Sequence, residues 1–386
     1  MKRVTVMAGG TGGHIFPGLA VAEALQKRGV AVDWLGARGG MEMELVASHG
    51  IPVTAIDISG LRGKGAMRLL ALPWQLGRAV WQAIKALKKT APDARQHTIL
   101  SLGGYVAAPG GVAARFLNRP LVVHEQNSVL GLTNRTLSRW ARQVLTGFEL
   151  PEMPQARWVG NPVRESILAV GRQRARAGYR GRVLSGKDQS LNPAPGSALT
   201  QENSGPIHLL ILGGSQGARS LNTRLPGHLA DAVQKGHVVV RHQCGKNKLE
   251  TTQKAYAEAG LDGHENVRVE AFIDDMAAAY AWADAVVARA GALSMAEIQA
   301  AALPALYVPF PHAVDDHQRH NAEYAVRHGA ALMWDEKQDE ALLRDALDTL
   351  LNEKASRCRL AEKAHALAKP EAAEAVANAC LEVMSS

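Results

Sequence analysis

Val4-Thr5-Val6-Met7-Ala8 runs straight into Gly9-Gly10-Thr11-Gly12-Gly13-His14, and a helical pattern follows from Pro17 to Arg28, closed by Gly29. A short apolar strand, a glycine-rich turn and a helix form one unit of a doubly wound α/β sheet. Glycines let the backbone approach a ligand closely, and the free N–H groups of the helix start point at it, so the unit suits phosphate or another anion. The second half repeats the unit: Ile207–Leu212 leads into Gly213-Gly214-Ser215-Gln216-Gly217-Ala218. Two such units predict two Rossmann-like doubly wound α/β domains facing a shared cleft.

Working outward, short apolar runs at Val30–Leu35, Val53–Ile58, Ile99–Leu102 and Leu121–His124 read as further strands of the first domain. Met41–Ser48 and Leu132–Trp140 read as helices between them. Ligands of such sheets bind beyond the carboxyl ends of the strands. His14, Tyr105 and the run His124-Glu125-Gln126-Asn127 all fall there. In the second half, strands are expected at Val238–His242, Val267–Ala271, Ala285–Ala288 and Ala305–Val308. The tail from Asp339 to Met384 reads as helical throughout. From about Arg172 to Gly205 no apolar period survives, which predicts a linker or surface insertion. The expected division is residues 1–164, a linker at 165–206, and a second domain at 207–386.

The chain of 386 residues exceeds the size at which one core usually stops growing, which also argues for two domains. Its net charge of +8 suits an anionic membrane surface, a phosphorylated substrate or no particular partner. Aromatics are few and not interleaved with a basic stripe, so nucleic acid is not expected. Cys244, Cys358 and Cys380 are widely spaced, with neither a disulfide framework nor zinc-ligand spacing, which fits a reducing compartment. The apolar start is too short for a signal peptide, and no run approaches the roughly 18 apolar residues of a membrane span.

Neither glycine turn reads as a P-loop. The first also lacks the Gly-x-Gly-x-x-Gly spacing of a dinucleotide site, although Asp33 could serve as the acidic partner such a site needs. His14 reads either as a polar helix cap or as a ligand-facing acid–base group. Asn127 and Glu125 read either as a loop held by side-chain hydrogen bonds or as ligand contacts. Arg164 suits an anion or a base plane, or plain solvation. Glu297, early in a helix after Gly291-Ala292-Leu293, could accept two bonds from vicinal ribose hydroxyls or simply favour the helix N-terminus. The His312, Asp315, Asp316, His317 run lacks helical ligand spacing, so no metal is expected.

Longer segments are more specific. GGTGGHIFPG (Gly9–Gly18), Gly103–Tyr105, HEQNSVLGLTNR (His124–Arg135), GNPVR (Gly160–Arg164), GGSQGA (Gly213–Ala218), FIDDM (Phe272–Met276), Gly291–Leu293 with Glu297, and Asp315–Gln318 with Asn321-Ala322 occur in one order along the whole chain. In these the sequence resembles the MurG family, membrane-associated UDP-GlcNAc transferases of peptidoglycan synthesis in the GT-B glycosyltransferase class, which make lipid II from lipid I.

By position, the resemblance implies that Thr11, Gly12 and Gly13 line the donor sugar and phosphate side, that Asn127 contacts the GlcNAc, and that Arg164 bounds the nucleotide. It implies Ser215 on the diphosphate, the Ile273 backbone on uracil, Ala292, Leu293, Ser294, Met295, Ala296 and Glu297 around the nucleotide with Glu297 on the ribose, and Gln318 on the sugar. His14, Tyr105 and Asn127 become the acceptor-side catalytic candidates, His14 as base. The implied partners are UDP-GlcNAc, lipid I, the anionic cytoplasmic face of the inner membrane, and other cell-wall synthesis or division proteins, with no cofactor. A UDP-GlcNAc 2-epimerase or a non-catalytic nucleotide-sugar sensor would share the nucleotide-binding features.

The sequence departs from the family at Ala290, where Ser is usual before Gly-Ala-Leu, at Ala108, where Gly is usual before Pro109, and in a longer linker. Leu69–Leu87 places Leu72, Leu76, Val80, Ala83, Ile84 and Leu87 at helical spacing, with Trp74, Trp81 and surrounding Arg and Lys residues. That pattern suits either a helix packed on the sheet or one lying on an anionic bilayer.

Overall fold

The computed structural model describes residues 1–58, 66–90, 93–179, 205–214, 217–313 and 316–384. The chain divides into two compact units, 1–164 with 369–386, and 165–368.

The first unit holds seven parallel strands: β1 (Arg3–Met7), β2 (Ala31–Ala37), β3 (Val53–Ile56), β4 (His97–Ser101), β5 (Leu121–Glu125), β6 (Gln143–Thr146) and β7 (Arg157–Trp158). Their spatial order is β3-β2-β1-β4-β5-β6-β7. The chain builds outward from β1 in one direction and from β4 in the other, so the carboxyl ends of β1 and β4 flank the topological switch point where ligands of such sheets bind. Its first helices are α1 (Gly12–Gln26), α2 (Glu42–Leu45), α3 (Ala66–Thr90), α4 (Ala107–Phe116) and α5 (Leu132–Leu137). Alternate strand residues bury on opposite faces. Val4, Val6, Trp34 and Leu100 pack with Ile15, Val21 and Leu25 of α1, whereas Met7, Leu35, Ile99 and Val123 pack with Ala83 and Leu87 of α3 and with Ala113 and Ala114 of α4.

The second unit repeats the scheme with β8 (Ile207–Leu212), β9 (Val238–Gln243), β10 (Val267–Glu270), β11 (Ala285–Ala288), β12 (Ala305–Tyr307) and β13 (Leu332–Met333), ordered β10-β9-β8-β11-β12-β13. All register pairs are parallel. Helices α6 (Glu165–Arg176), α7 (Arg219–Gln234), α8 (Leu249–Glu258), α9 (Met276–Trp282), α10 (Ala292–Ala300), α11 (His317–Arg327), α12 (Glu340–Asn352) and α13 (Lys354–Leu367) surround it. Leu209, Ile211, Val287 and Leu306 face Leu221, Leu225 and Leu229 of α7 and Leu343, Leu347 and Leu350 of α12.

Three expectations about the chain's division need correction. Glu165–Arg176, read as the start of a linker, is a helix of the second unit. Gly171 gives way there to the backbone of α10, since a Cβ would lie 1.8 Å from the Ala300 carbonyl oxygen. The tail is not one helical run. It breaks at Glu353 and again at Ala368, one residue ahead of Lys369, whose helical backbone Pro370 disfavours. The last helix, α14 (Ala372–Glu382), belongs to the first unit: Val376, Ala377, Ala379 and Cys380 join its core, Thr98 donates to the Cys380 carbonyl at 2.8 Å, and Arg28 bonds Glu374 and Asn378. The rest of the expected linker, 180–204, lies outside the described residues.

Each unit buries a histidine on a strand. His97 shares a 2.6 Å hydrogen bond with Thr5 in the first unit, and His242 bridges Tyr256 and Asn222 in the second. Burial is the main cause that pushes each imidazole down to about 3 from its ordinary 6.5. The unfolded chain therefore binds these protons at a pH where the folded chain refuses them. Stability is fullest above pH 6.5 and falls as pH drops from 6.5 toward 3. Each histidine is expected to cost about 1 kcal/mol between neutrality and a pH one unit below its unfolded value. Urea unfolding across that range should show the loss, and His242→Gln should reduce it. A flat profile would contradict it.

Candidate active site

In the first unit the turn after β1 is held from β2 and from the turn after β4. Gly10 adopts φ +95°, and the Trp34 indole donates to the Ala8 carbonyl at 2.8 Å. The turn after β4 lies against it: a Cβ on Gly104 would sit 2.4 Å from the Gly9 carbonyl oxygen, and one on Gly10 would sit 3.0 Å from the Tyr105 ring. Helix α1 begins at Gly12 rather than Pro17, because Thr11 is extended (φ −137°, ψ 157°) and forms the cap. Thr11 is exposed, and Gly12 and Gly13 occupy the first helical positions.

His14 is accordingly in the first turn of α1 and is not the cap. Its Nδ1 lies 3.3 Å from the Thr11 hydroxyl. On its other side Gly103 leaves room, since a Cβ there would be 3.3 Å from His14 Nε2. Burial lowers the imidazole pKa, and the carboxylates of Glu125 and Glu42 partly offset this. Burial, then Glu42, raises the Tyr105 phenol.

Glu125 ends β5 and is buried. It accepts four hydrogen bonds: the backbone and side-chain amides of Asn127 at 3.0 and 3.1 Å, Gly131 N–H at 3.2 Å, and the Asn134 amide at 2.9 Å. Asn134 in turn accepts from Ser101 at 3.2 Å, tying β4, β5 and α5 together. Asn127 is thus fixed by Glu125, the loop held by side-chain hydrogen bonds that one of the two sequence readings expects. His124 is buried and pairs its Nε2 with the Gly160 carbonyl at 2.9 Å. Arg164 stacks its guanidinium 4.6 Å from the Phe16 ring centroid. Asp33 is unsuited to a dinucleotide ribose, because it is buried mid-strand against Thr5 at 2.6 Å and Arg3 at 3.1 Å.

In the second unit the turn after β8 places Gly214 and Gly217 at φ +78° and +77°. A Cβ on Gly217 would meet the Cys244 carbonyl oxygen at 2.4 Å. Ser215 lies outside the described residues, as does Asp315. Beside this turn, the one after β11 leads into α10, capped by Gly291. The first turn of α10 is Ala292, Leu293, Ser294 and Met295, followed by Ala296 and Glu297. Glu297 is buried and accepts from the Tyr280 hydroxyl at 3.1 Å. Ala290 is buried, and its carbonyl accepts from Asn321 at 3.1 Å. Arg289, which sequence reasoning passed over, bonds Glu336, Ser220 and the carbonyls of Val308 and Pro309. Gln318 accepts from the Phe310 N–H at 3.0 Å, and Ile273 is buried.

The chain matches the glycosyltransferase family 28 N-terminal domain over residues 4–146 and the C-terminal domain of the same family over residues 208–378. It is 49% identical over 385 residues to the UDP-N-acetylglucosamine--N-acetylmuramyl-(pentapeptide) pyrophosphoryl-undecaprenol N-acetylglucosamine transferase of Xanthomonas axonopodis pv. citri (strain 306), covering 99% of this chain and 82% of that one. The chain belongs to the MurG family. The MurG relative of the same description from Xylella fastidiosa (strain M12) is 47% identical, with 99% and 96% covered. The crystal structure of Acinetobacter baumannii MurG is similar with a TM-score of 0.73 at 36% identity, over 99% of this chain and 100% of that one.

Proposed function

We propose that this protein is an inverting glycosyltransferase that moves GlcNAc from UDP-GlcNAc to O4 of the MurNAc of lipid I (undecaprenyl-pyrophosphoryl-MurNAc-pentapeptide), giving lipid II. The reading rests on near-half identity along 99% of the chain to proteins named for that reaction. In it, the acceptor O4 attacks C1 of GlcNAc, the C1–O bond to UDP breaks, and the acceptor proton passes to a base. One displacement turns the α-linked donor into a β-linked product. His14 is the proposed base: burial favours its neutral form, which can take a proton at pH 7. Tyr105 and Asn127 are proposed on the acceptor side with it.

Charge gathering on the leaving diphosphate needs fixed donors, usually the larger catalytic contribution. The second glycine turn with Ser215 and the free N–H groups of Ala292, Leu293 and Ser294 at the start of α10 are proposed for that work. Glu297 is proposed on the ribose, the Ile273 backbone on uracil, Gln318 on the sugar and Arg164 beside the nucleotide. Thr11, Gly12 and Gly13 are proposed on the sugar–phosphate side. The test is transfer of labelled GlcNAc from UDP-GlcNAc to a lipid I analogue with EDTA present. Release of UDP in step with a β-linked disaccharide lipid supports the reading. Donor binding without transfer rejects it.

The enzyme is proposed to work peripherally on the cytoplasmic membrane face, through α3. Among the described residues no helix is long and apolar enough to cross a membrane. Ala79, Ala83 and Leu87 of α3 are buried on the sheet side. Trp74 and Trp81 are 69% and 62% exposed. Arg78 lies 5.8 Å from the Trp74 ring centroid and Lys85 lies 5.5 Å from that of Trp81. Positions 74, 78, 81, 85 and 88 share one helical stripe, so two aromatic rings and three cations line it. Such a stripe suits the headgroup layer of an anionic bilayer. Trp74→Ser with Trp81→Ser is expected to weaken flotation with anionic vesicles about tenfold or more. Unchanged flotation would reject α3 as the anchor.

A further inference from the structure

Glu42 is a carboxylate in an unusual place. It opens α2, just past the end of β2, and has no exposed surface. Three glycines from two segments make room for it. A Cβ on Gly9 would lie 2.5 Å from Glu42 Oε1, one on Gly36 would lie 2.8 Å from its Cγ, and one on Gly40 would lie 2.4 Å from its Oε2. Its Oε1 accepts from Ala37 N–H at 2.8 Å and its Oε2 from Gly10 N–H at 3.4 Å. No lysine or arginine among the described residues forms an ion pair with it. Above it lie the Gly9–Gly10 peptide and then the Gly104–Tyr105 turn, so the ends of β2, β1 and β4 form one stack with Glu42 at its base.

A buried anion at the base of a glycine turn acts in two ways. It fixes the height of the turn, because the glycine backbone rests on a filled volume. It also adds negative potential that favours a proton on nearby groups. Both groups affected are candidates for the chemistry: Glu42 bears on His14 and on Tyr105. The charged or titratable groups that act on His14 are Glu125 from β5 and Glu42 from α2, and Tyr105 stands across Gly10 from Glu42.

We propose that Glu42 is a positioning residue for the transfer reaction, holding the Gly9–Gly10 turn and placing a negative charge under the turn that leads to His14, without touching substrate. The proposal rests on the reading of His14 as the base.

The test is steady-state transfer by the full chain to a soluble lipid I analogue, with UDP-GlcNAc varied and pH scanned, for Glu42→Gln, Glu42→Ala and His14→Ala. Gln keeps an acceptor for Ala37 N–H and fills the same volume, but removes the charge and turns its NH₂ toward Gly10 N–H. It is expected to lower kcat about three- to tenfold, with the KM for UDP-GlcNAc within about twofold. The acid limb of kcat should move to lower pH. Ala should lose about fiftyfold or more, and the smaller loss in Gln serves as the conservative rescue. If Ala does not fold, Gln alone decides. An acid limb that disappears in His14→Ala but stays unmoved in Glu42→Gln overturns the role of Glu42. A limb that survives in His14→Ala overturns the base assignment instead, and with it the electrostatic half of the proposal. A change confined to the donor KM also overturns it.

Discussion

Replacing His14 with alanine is expected to lower transfer turnover about 10²–10⁴-fold, the usual range for losing a positioned general base, while UDP-GlcNAc binding stays within about threefold. The asymmetry follows from where the side chain lies. His14 belongs to the first unit, packed against Gly103 and Thr11, whereas the proposed diphosphate, ribose and uracil contacts come from the second. The direction of its pKa also matters. A histidine lowered by burial is neutral at pH 7 and able to accept a proton, so wild-type turnover should fall on the acid side as the imidazole becomes protonated. Turnover measured beside calorimetric donor binding decides the matter. Near-normal turnover would remove His14 from the reaction.

Glu125→Ala should destabilise the first unit by about 2–4 kcal/mol and abolish most turnover. Four donors converge on that carboxylate, two per oxygen. The Asn127 side chain can turn elsewhere, and the buried Asn134 amide keeps the His124 carbonyl at 3.3 Å. The backbone N–H of half-buried Asn127 cannot turn away, and becomes an unsatisfied donor, whereas that of exposed Gly131 can turn to water. Glu125→Gln is a sharper probe. Glutamine offers one acceptor oxygen and turns an NH₂ toward the other pair of donors, so it should recover little. This contrasts with Glu42, where the one short bond goes to a single oxygen and glutamine can keep it. Denaturant unfolding of the full chain measures the loss. A glutamine variant as stable as wild type would show that the carboxylate charge and second oxygen are dispensable.

The sequence was most legible where apolar strands stand between turn residues. Ile207–Leu212 and Ala285–Ala288 have the expected bounds, because continuous aliphatic runs buried on both faces leave little else to form. Helix α4 was not legible, since Pro109-Gly110-Gly111 reads as a breaker. The structure explains both glycines as close approaches: a Cβ on Gly110 would meet the Met7 sulfur at 2.1 Å, and one on Gly111 would meet Leu137 at 2.4 Å. Proline near a helix start costs little. Strand β7 is a two-residue edge element and β6 beside it a short strand of mixed composition, and neither carries an alternating signal. In the candidate site, residues directly after strands were found because topology puts ligands there. Glu42 was missed because a glutamate in a helical pattern reads as solvent-facing, and its burial depends on glycines at 9, 36 and 40 that no local window brings together.

The order of synthesis is written into the path of the chain. The ribosome delivers residues 1–164 first, yet the layer that covers β4 and α1 with Val376, Ala377, Ala379 and Cys380 arrives only after the whole second unit has been made. The first unit therefore emerges with an apolar seam open, and must wait, shielded or partly formed, through about two hundred further residues, roughly ten to forty seconds at ordinary translation rates. The unit made first is the one completed last.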